Sequence, residues 1–351
     1  MLLDQILEYA QKRDCSDVHL VAKSQPIVRQ VGSLVRLDFP ELEELEVKNW
    51  ISMMLTHDQK EQYEKGYDVD TAYADHLGNR YRLNVFRQQG LPAIAMRLLR
   101  NKIPTIDELG LPAILKDLAD QPRGLILVTG PTGSGKSTTL AAMIDHINRN
   151  KAKHILTLED PIEYLHTPKK CMVNQREVHR DVHDFQLALR SALREDPDVI
   201  LVGEMRDHET ISLAVTAAET GHLVFSTLHT IGAPNTIDRI IDAFPPHQQQ
   251  QIRTQLATVL KGVVSQALLP RNDRMGRIAV HEIMTMTDAI GNLIRENKIV
   301  QINSAIQTGM RYGMQTLEGN LARLVNEGVI SQEIAYEISS SPEFLKRLLG
   351  R

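Results

Sequence analysis

The sequence predicts an α/β protein with a sheet-containing α+β N-terminal domain over residues 1–99, a doubly wound core and a helical C-terminal part. Three observations predict it. Period-two apolar spacing flanks a helical stretch in the first hundred residues or so. Apolar strands and helices alternate from Ala113 onward. Between them, "GPTGSGKST" at Gly130–Thr138 is a glycine turn that carries the apolar run "GLILVT" into the helical "TLAAMIDHI". At 351 residues the chain exceeds one ordinary core and is read as two domains.

The opening stretch "MLLDQILEYAQKRD" places Asp4 and Glu8 inside its only apolar region, so it reads as an amphipathic helix and not as a secretory leader. Asp17 to Leu37 reads as short strands, with apolar positions at Val18, Leu20, Val28, Val31 and Val35. Helical stretches follow around Val47 to Lys65. "YDVDTAYADHLGNRYRLNVFRQQGLPAIAMRLL" returns to strand spacing, with a hairpin turn at His76 to Asn79. Pro104, Gly110 and Pro112 mark a linker over 100–112. The second domain, 113–351, then alternates "LILVTG", the helix after Lys136, "HILTLED", "FQLALRSALRE", "DVILVG", "TISLAVTAAET" and "HLVFSTLH". Such alternation is the pattern of a mainly parallel sheet covered by helices on both faces. From about Pro245 the chain reads as mostly helical.

Composition narrows the chemistry. An apolar content of 42% and a charged content of 24%, without a run of roughly 20 uncharged apolar residues, predict a cytoplasmic chain. Cys15 and Cys171 form no Cys-x-x-Cys, so neither a disulfide framework nor a cysteine zinc module is expected. A formal net charge of -4 with no long Lys/Arg run argues against nucleic acid as a partner.

The pattern G-x-x-x-x-G-K-[ST] is met by Gly130, Gly135, Lys136 and Ser137. Glycines let successive backbone N–H groups turn onto a phosphate, and the following helix presents its positive end to the same anion. The loop therefore assigns ATP binding to Gly130, Thr132, Gly133, Ser134, Gly135, Lys136, Ser137 and Thr138, with Ser137 also a ligand to Mg2+. Carboxylates past neighbouring strands are the candidates for metal and water: Glu159, Asp160 and Glu163 in "ILTLEDPIEYLH" and Glu204 in "DVILVGEMRD". Their plain alternative is solvated, helix-capping acids. His222 and His229 flank one strand, where His229 is placed to donate to a γ-phosphate and His222 is a further nucleotide contact; core or cap histidines are the alternative. Phosphoryl transfer also draws on an extra cation, and Arg80, Arg82, Arg87 and Arg97 have mostly same-face spacing on predicted strands.

Together the phosphate loop, "TLEDPIEY", "VILVGEMRD" and "ETGHLVFSTLHT", with "SDVHL" before them and "GMQTLEGNLARLV" after, make the chain resemble the secretion-type (type II/IV) ATPases, most closely the PilT family of type IV pilus retraction motors. The resemblance covers nearly the whole chain. It implies a homohexamer in which an N-terminal PAS-like domain packs on the RecA-like domain of the next subunit. It assigns Glu204 to the Walker B position with a share in the metal, Glu163 to the catalytic base and His229 to the γ-phosphate sensor. It also aligns Arg82 and Arg97 with arginines acting in trans. Hydrolysis would pull pilin, indirectly, through an inner-membrane platform protein, with the ring held peripherally at the pilus base and an accessory retraction ATPase as a further partner.

Two departures stand out: "AIGNLIRE" carries Gly291 where the family has arginine, a glycine expected on an exposed helix, and "SDVHL" has Val18 for leucine. Competing readings are a pilus assembly or type II secretion ATPase, disfavoured because no cysteine follows Cys171, a RecA-like nucleic-acid translocase, and a nucleotide-gated scaffold without useful hydrolysis.

Overall fold

The structure is a computed structural model that describes residues 2–13, 15–30, 32–99 and 102–350. Val31 and linker residues 100 and 101 lie outside the described residues. The chain divides into two compact units, Met1–Lys102 with Pro161–Tyr164, and Ile103–Asp160 with Leu165–Arg351.

The first unit runs α1 (Leu2–Lys12), β1 (Asp17–Val21), β2 (Ile27–Gln30), β3 (Ser33–Arg36), α2 (Glu44–Met54), α3 (His57–Glu64), β4 (Val69–Ala74), β5 (Arg80–Gln88) and β6 (Leu91–Leu98). Its strands form one antiparallel sheet in the order β3-β2-β1-β6-β5-β4. Leu3, Ile6, Leu7 and Ala10 of α1 and Val47, Trp50 and Ile51 of α2 share one core with Val18, Leu20, Val28, Leu83, Val85, Ile94 and Met96 of the sheet. Val35 departs from the expected alternation because β3 is an edge strand whose four residues are all exposed. The β4–β5 turn is held by the Asp75 carboxylate, which accepts from the backbone of Leu77 and Asn79 and from the Tyr81 hydroxyl.

Period two also sorts the arginines, and not as one face. Arg82 pairs with Arg97 across β5 and β6, whereas Arg87 is on the other face of β5, its guanidinium 4.5 Å from the centre of the Tyr63 ring. Arg80 is buried and its Nη1 donates to the Ile162 carbonyl at 3.4 Å.

The second unit runs α4 (Ile114–Ala119), β7 (Gly124–Thr129), α5 (Lys136–Asn150), β8 (His154–Glu159), β9 (Met172–Glu177), α6 (Phe185–Ala192), β10 (Val199–Val202), α7 (His208–Glu219), β11 (Leu223–Leu228), α8 (Ala233–Asp242), α9 (Pro246–Val259), β12 (Leu260–Pro270), β13 (Arg277–Thr285), α10 (Asp288–Arg295), α11 (Ile302–Thr308), α12 (Leu317–Asn326), α13 (Gln332–Ile338) and α14 (Pro342–Leu348). Its sheet order is β13-β12-β7-β11-β10-β8-β9, parallel throughout except for β13. β7, β10 and β11 are buried at every residue, as strands covered on both faces must be.

Three features differ from the sequence expectation. The region after Pro245 contains the long β12–β13 hairpin, and β12 lies directly beside β7; a short apolar run such as "GVVSQALL" does not distinguish strand from helix by periodicity. Ile106 and Leu111, inside the expected linker, are buried with Leu115 and Leu118 in the core of the second unit. Gly291 is buried in α10, so the exposed-helix expectation is corrected: its missing side chain faces α9, where a Cβ would meet the Ala257 carbonyl at 3.5 Å.

Candidate active site

β7 delivers the chain to Gly130 at the carboxyl edge of the sheet, and α5 begins at Lys136. The turn between them accepts only certain residues. Gly130 has φ 137, and a Cβ there would stand 2.1 Å from the Gln266 carbonyl oxygen; Gly135, at φ 89, occupies the left-handed region immediately before the helix. The first-turn N–H groups of α5 have no intrahelical acceptor, which leaves a positive helix end at the loop. Lys136 Nζ donates to the carbonyls of Gly130 at 2.9 Å and Pro131 at 3.1 Å. Thr132 and Gly133 form the exposed tip, Ser137 and Thr138 are half-buried in the first turn, and Ser134 is buried with its hydroxyl unpartnered.

What holds the loop from below was not legible in the sequence. Gln266 of β12 is buried; its Nε2 donates to the Ser134 carbonyl at 2.7 Å and its Oε1 accepts from the Thr139 hydroxyl at 2.9 Å. One amide therefore spans the turn and the first turns of α5, using both of its ends. The signal that could have found it is a lone glutamine in an apolar strand, which must find partners once buried.

Glu204 follows β10 after Gly203, on the strand next to β11. Its Oε1 lies 2.6 Å from Arg206 Nη2 and its Oε2 3.6 Å from His229 Nε2; the carboxylate side chain is only 16% exposed. The structure thus brings Glu204 and His229 together at adjacent strand ends and adds Arg206, a cation two residues on that the sequence reading gave no role. The strand ends are cross-tied: Thr227 Oγ1 donates to the Gly203 carbonyl at 2.6 Å, and the Met205 N–H to the Thr227 carbonyl at 3.2 Å. Beyond His229, the Gly232 N–H donates to Ser265 Oγ at 2.9 Å and the Ala233 N–H to Glu282 Oε1 at 2.7 Å. Burial pushes the Glu282 carboxyl above its ordinary pKa, and the Ala233 N–H draws it back only in part.

The remaining candidates separate. Glu159 ends β8 and accepts from Thr157 Oγ1 at 2.7 Å and Gln175 Nε2 at 3.2 Å. Glu163 is half-buried in the short segment Pro161–Tyr164, which groups with the first unit, as do Arg82 and Arg97. His222 precedes β11, at the level where Leu223 pairs with Gly124, so within this chain it is a strand length of roughly 20 Å from the phosphate loop. There its ring lies 2.9 Å from the Ala217 carbonyl and 3.2 Å from the Thr220 hydroxyl, a helix-end role for α7. Of the residues expected to hold a metal, Ser137 offers a hydroxyl in the first turn of α5 and Glu204 a carboxylate past β10; both are oxygen donors, the type that suits Mg2+.

Known proteins resemble the chain over nearly its whole length. The family described as type II/IV secretion system protein matches residues 1–336. The chain is 50% identical over 343 residues to the type IV pilus retraction ATPase PilT of Pseudomonas aeruginosa, covering 98% of this chain and 99% of that one. It is 49% identical over 323 residues to a twitching motility protein of Neisseria gonorrhoeae, covering 92% and 86%. A crystal structure of the pilus retraction motor PilT with bound ADP matches at TM-score 0.92 and 47% identity, covering 98% of each chain. The Legionella pneumophila ATPase DotB matches at TM-score 0.81 and 28% identity, covering 96% of this chain and 95% of that one. On a family match spanning nearly its whole length and relatives at about half identity, the chain belongs to the type II/IV secretion system protein family.

Proposed function

We propose that this chain is a hexameric, ATP-hydrolysing motor that powers type IV pilus retraction. The observation that carries the reading is the Glu204 carboxylate, held between Arg206 and His229 at the edge of the sheet where the phosphate loop also ends. A glycine turn that only stored phosphate would need no such acid.

ATP phosphates lie on the backbone N–H groups from Gly130 to Thr138, and Lys136 exchanges the carbonyls of Gly130 and Pro131 for the β/γ oxygens. Ser137 and Glu204 would hold Mg2+, which would supply charge neutralisation at the phosphates. Glu163 accepts the proton of the attacking water. His229, already beside Glu204, donates to the γ-phosphate and so distinguishes ATP from ADP. Arg82 and Arg97 reach the site of the neighbouring subunit, where cations offset charge as the bond breaks. The resulting subunit rotation acts on an inner-membrane platform protein and, through it, on pilin; an accessory retraction ATPase shares the base. Among the described residues no helix is long and apolar enough to cross a membrane, which fits a ring held peripherally there.

The names of the relatives, retraction ATPase and twitching motility protein, support retraction over assembly. Steady-state phosphate release together with a nucleotide-binding isotherm tests the chemistry. Glu204→Gln should bind ATP as the parent does and hydrolyse it at least about a hundredfold more slowly; undiminished turnover refutes the assignment. Deleting the gene and counting surface pili tests direction, since excess fibres mean retraction and bald cells mean assembly.

A further inference from the structure

The sheet of the first unit carries an unusual row of charges. Register places Arg29 of β2 opposite Asp17 of β1, Asp17 opposite Arg97 of β6, and Arg97 opposite Arg82 of β5. Three guanidinium groups and one carboxylate thus stand side by side across four strands. Like charges directly opposite in an antiparallel pair destabilise it, and the Arg82–Arg97 pair is such a case. Asp70 lines the same cavity, but Asp17 is the carboxylate in contact with Arg97, and its contacts are selective. Its Oδ1 accepts from Arg97 Nε at 3.0 Å; its Oδ2 accepts from the Ser16 hydroxyl at 2.7 Å and lies 3.8 Å from Arg29 Nε. The Asp17 side chain is 15% exposed and that of Arg97 68%. Among the described residues, the terminal Nη nitrogens of Arg97 make no hydrogen bond or ion pair, and neither does the Arg82 guanidinium.

Gripping a guanidinium by Nε fixes the direction of its plane and leaves the two-pronged Nη end for a bidentate acceptor such as a phosphate. An arginine bound to Asp17 through both Nη atoms would instead be spent on the carboxylate. Burial alone raises the pKa of the Asp17 carboxyl, but the Ser16 hydroxyl and the Arg97 guanidinium bring it below its ordinary value, so the grip stays ionised at neutral pH.

We propose that Asp17 is a positioning residue for the motor's ATPase reaction, holding Arg97 by Nε and offsetting its repulsion from Arg82 so that both can meet the nucleotide phosphates of a neighbouring subunit. This rests on the reading of Arg82 and Arg97 as trans-acting arginines. It concerns what points them, and it involves no residue of the phosphate loop.

The test is a double-mutant cycle on the full-length assembled protein, reading kcat and KM for ATP, with thermal midpoints as the control for folding. Asp17→Ala should lower kcat about tenfold while KM moves less than about twofold. Asp17→Asn, whose Oδ1 still accepts from Nε, should recover most of that loss. In an Arg97→Ala background, Asp17→Ala should change kcat by less than about twofold, because the group it positions is gone. Parental turnover in Asp17→Ala with slow turnover in Arg97→Ala overturns the positioning role alone. Parental turnover in Arg97→Ala overturns the arginine reading and this proposal with it. An Asp17→Ala loss that persists undiminished in the Arg97→Ala background marks a merely structural aspartate and also overturns the proposal.

Discussion

The phosphate loop and the arginine row are both charged recognition surfaces, yet they are built in opposite ways. The loop is packed from beneath: Gly130 lies against the backbone of Gln266, and the Gln266 side chain is bonded to both Ser134 and Thr139. The row stands on a sheet face away from the unit's core, with Arg97 largely exposed and held by one carboxylate. On the proposed roles, binding and turnover rest on different kinds of structure. The cradle has one permitted shape fixed by sterics, whereas Arg97 is held by a single hydrogen bond at Nε and is otherwise exposed. Damage to the first should cost stability and binding; damage to the second should cost rate alone.

Substitutions can break that contrast, and the largest effect on folding is expected at Gly130. Gly130→Ala forces a methyl against a backbone carbonyl in a conformation of positive φ, so the second unit should lose several kcal/mol, on the order of 2–4, and nucleotide binding with it. Chemical denaturation with an ATP-binding isotherm reads both. Gln266→Leu keeps the volume but strands the Ser134 carbonyl and the Thr139 hydroxyl, which should destabilise by roughly 1–3 kcal/mol and weaken nucleotide binding about tenfold. A variant with parental affinity would show that the loop holds its shape without the amide.

Acid sharpens the comparison next, because the second unit contains two histidines that folding keeps neutral. Burial lowers His166 and His281 to about 4 from an ordinary 6.5, and His166 Nδ1 and His281 Nε2 have no partner. A folded-state pKa below the unfolded one means the unfolded chain binds more protons between those values. The stability from these groups is therefore complete above about pH 6.5 and falls as pH drops toward 4, by on the order of 1–2 kcal/mol per histidine between pH 7 and 5. Urea midpoints at the two pH values should show the fall, and His166→Gln with His281→Gln should flatten it. The smallest stability effect is expected at Arg82, where alanine should stay within about 0.5 kcal/mol of the parent while ATP turnover drops. Mixing Arg82→Ala chains with Lys136→Ala chains should restore part of the activity; no rescue at any ratio would remove the trans role.

Much of this was legible in one dimension because the physics is local. Gly130, Gly135, Lys136 and Ser137 are adjacent in sequence, and the turn they make is dictated by glycine backbone freedom and a helix start. Alternation of strand and helix likewise gave β7, β8, β10 and β11 with the helices between them. Other features were hidden because they depend on pairing between distant segments. The polar edge strand β9 and the β12–β13 hairpin lacked a periodic signal strong enough to separate them from loop or helix. The partners of His222 were hidden as well, because they belong to the end of α7 and not to the strand it precedes.

The sequence by itself determined the anion cradle, the acids past the strands and the doubly wound core, since each follows from backbone sterics or from periodicity within a few turns of chain. Only the tertiary structure decided that Gln266 braces the cradle, that Glu204 meets His229 and Arg206, and that Asp17 stands beside Arg97. Those partners lie on different strands or across turns, and which side chains touch is settled by strand order and register, quantities that no local stretch of sequence contains.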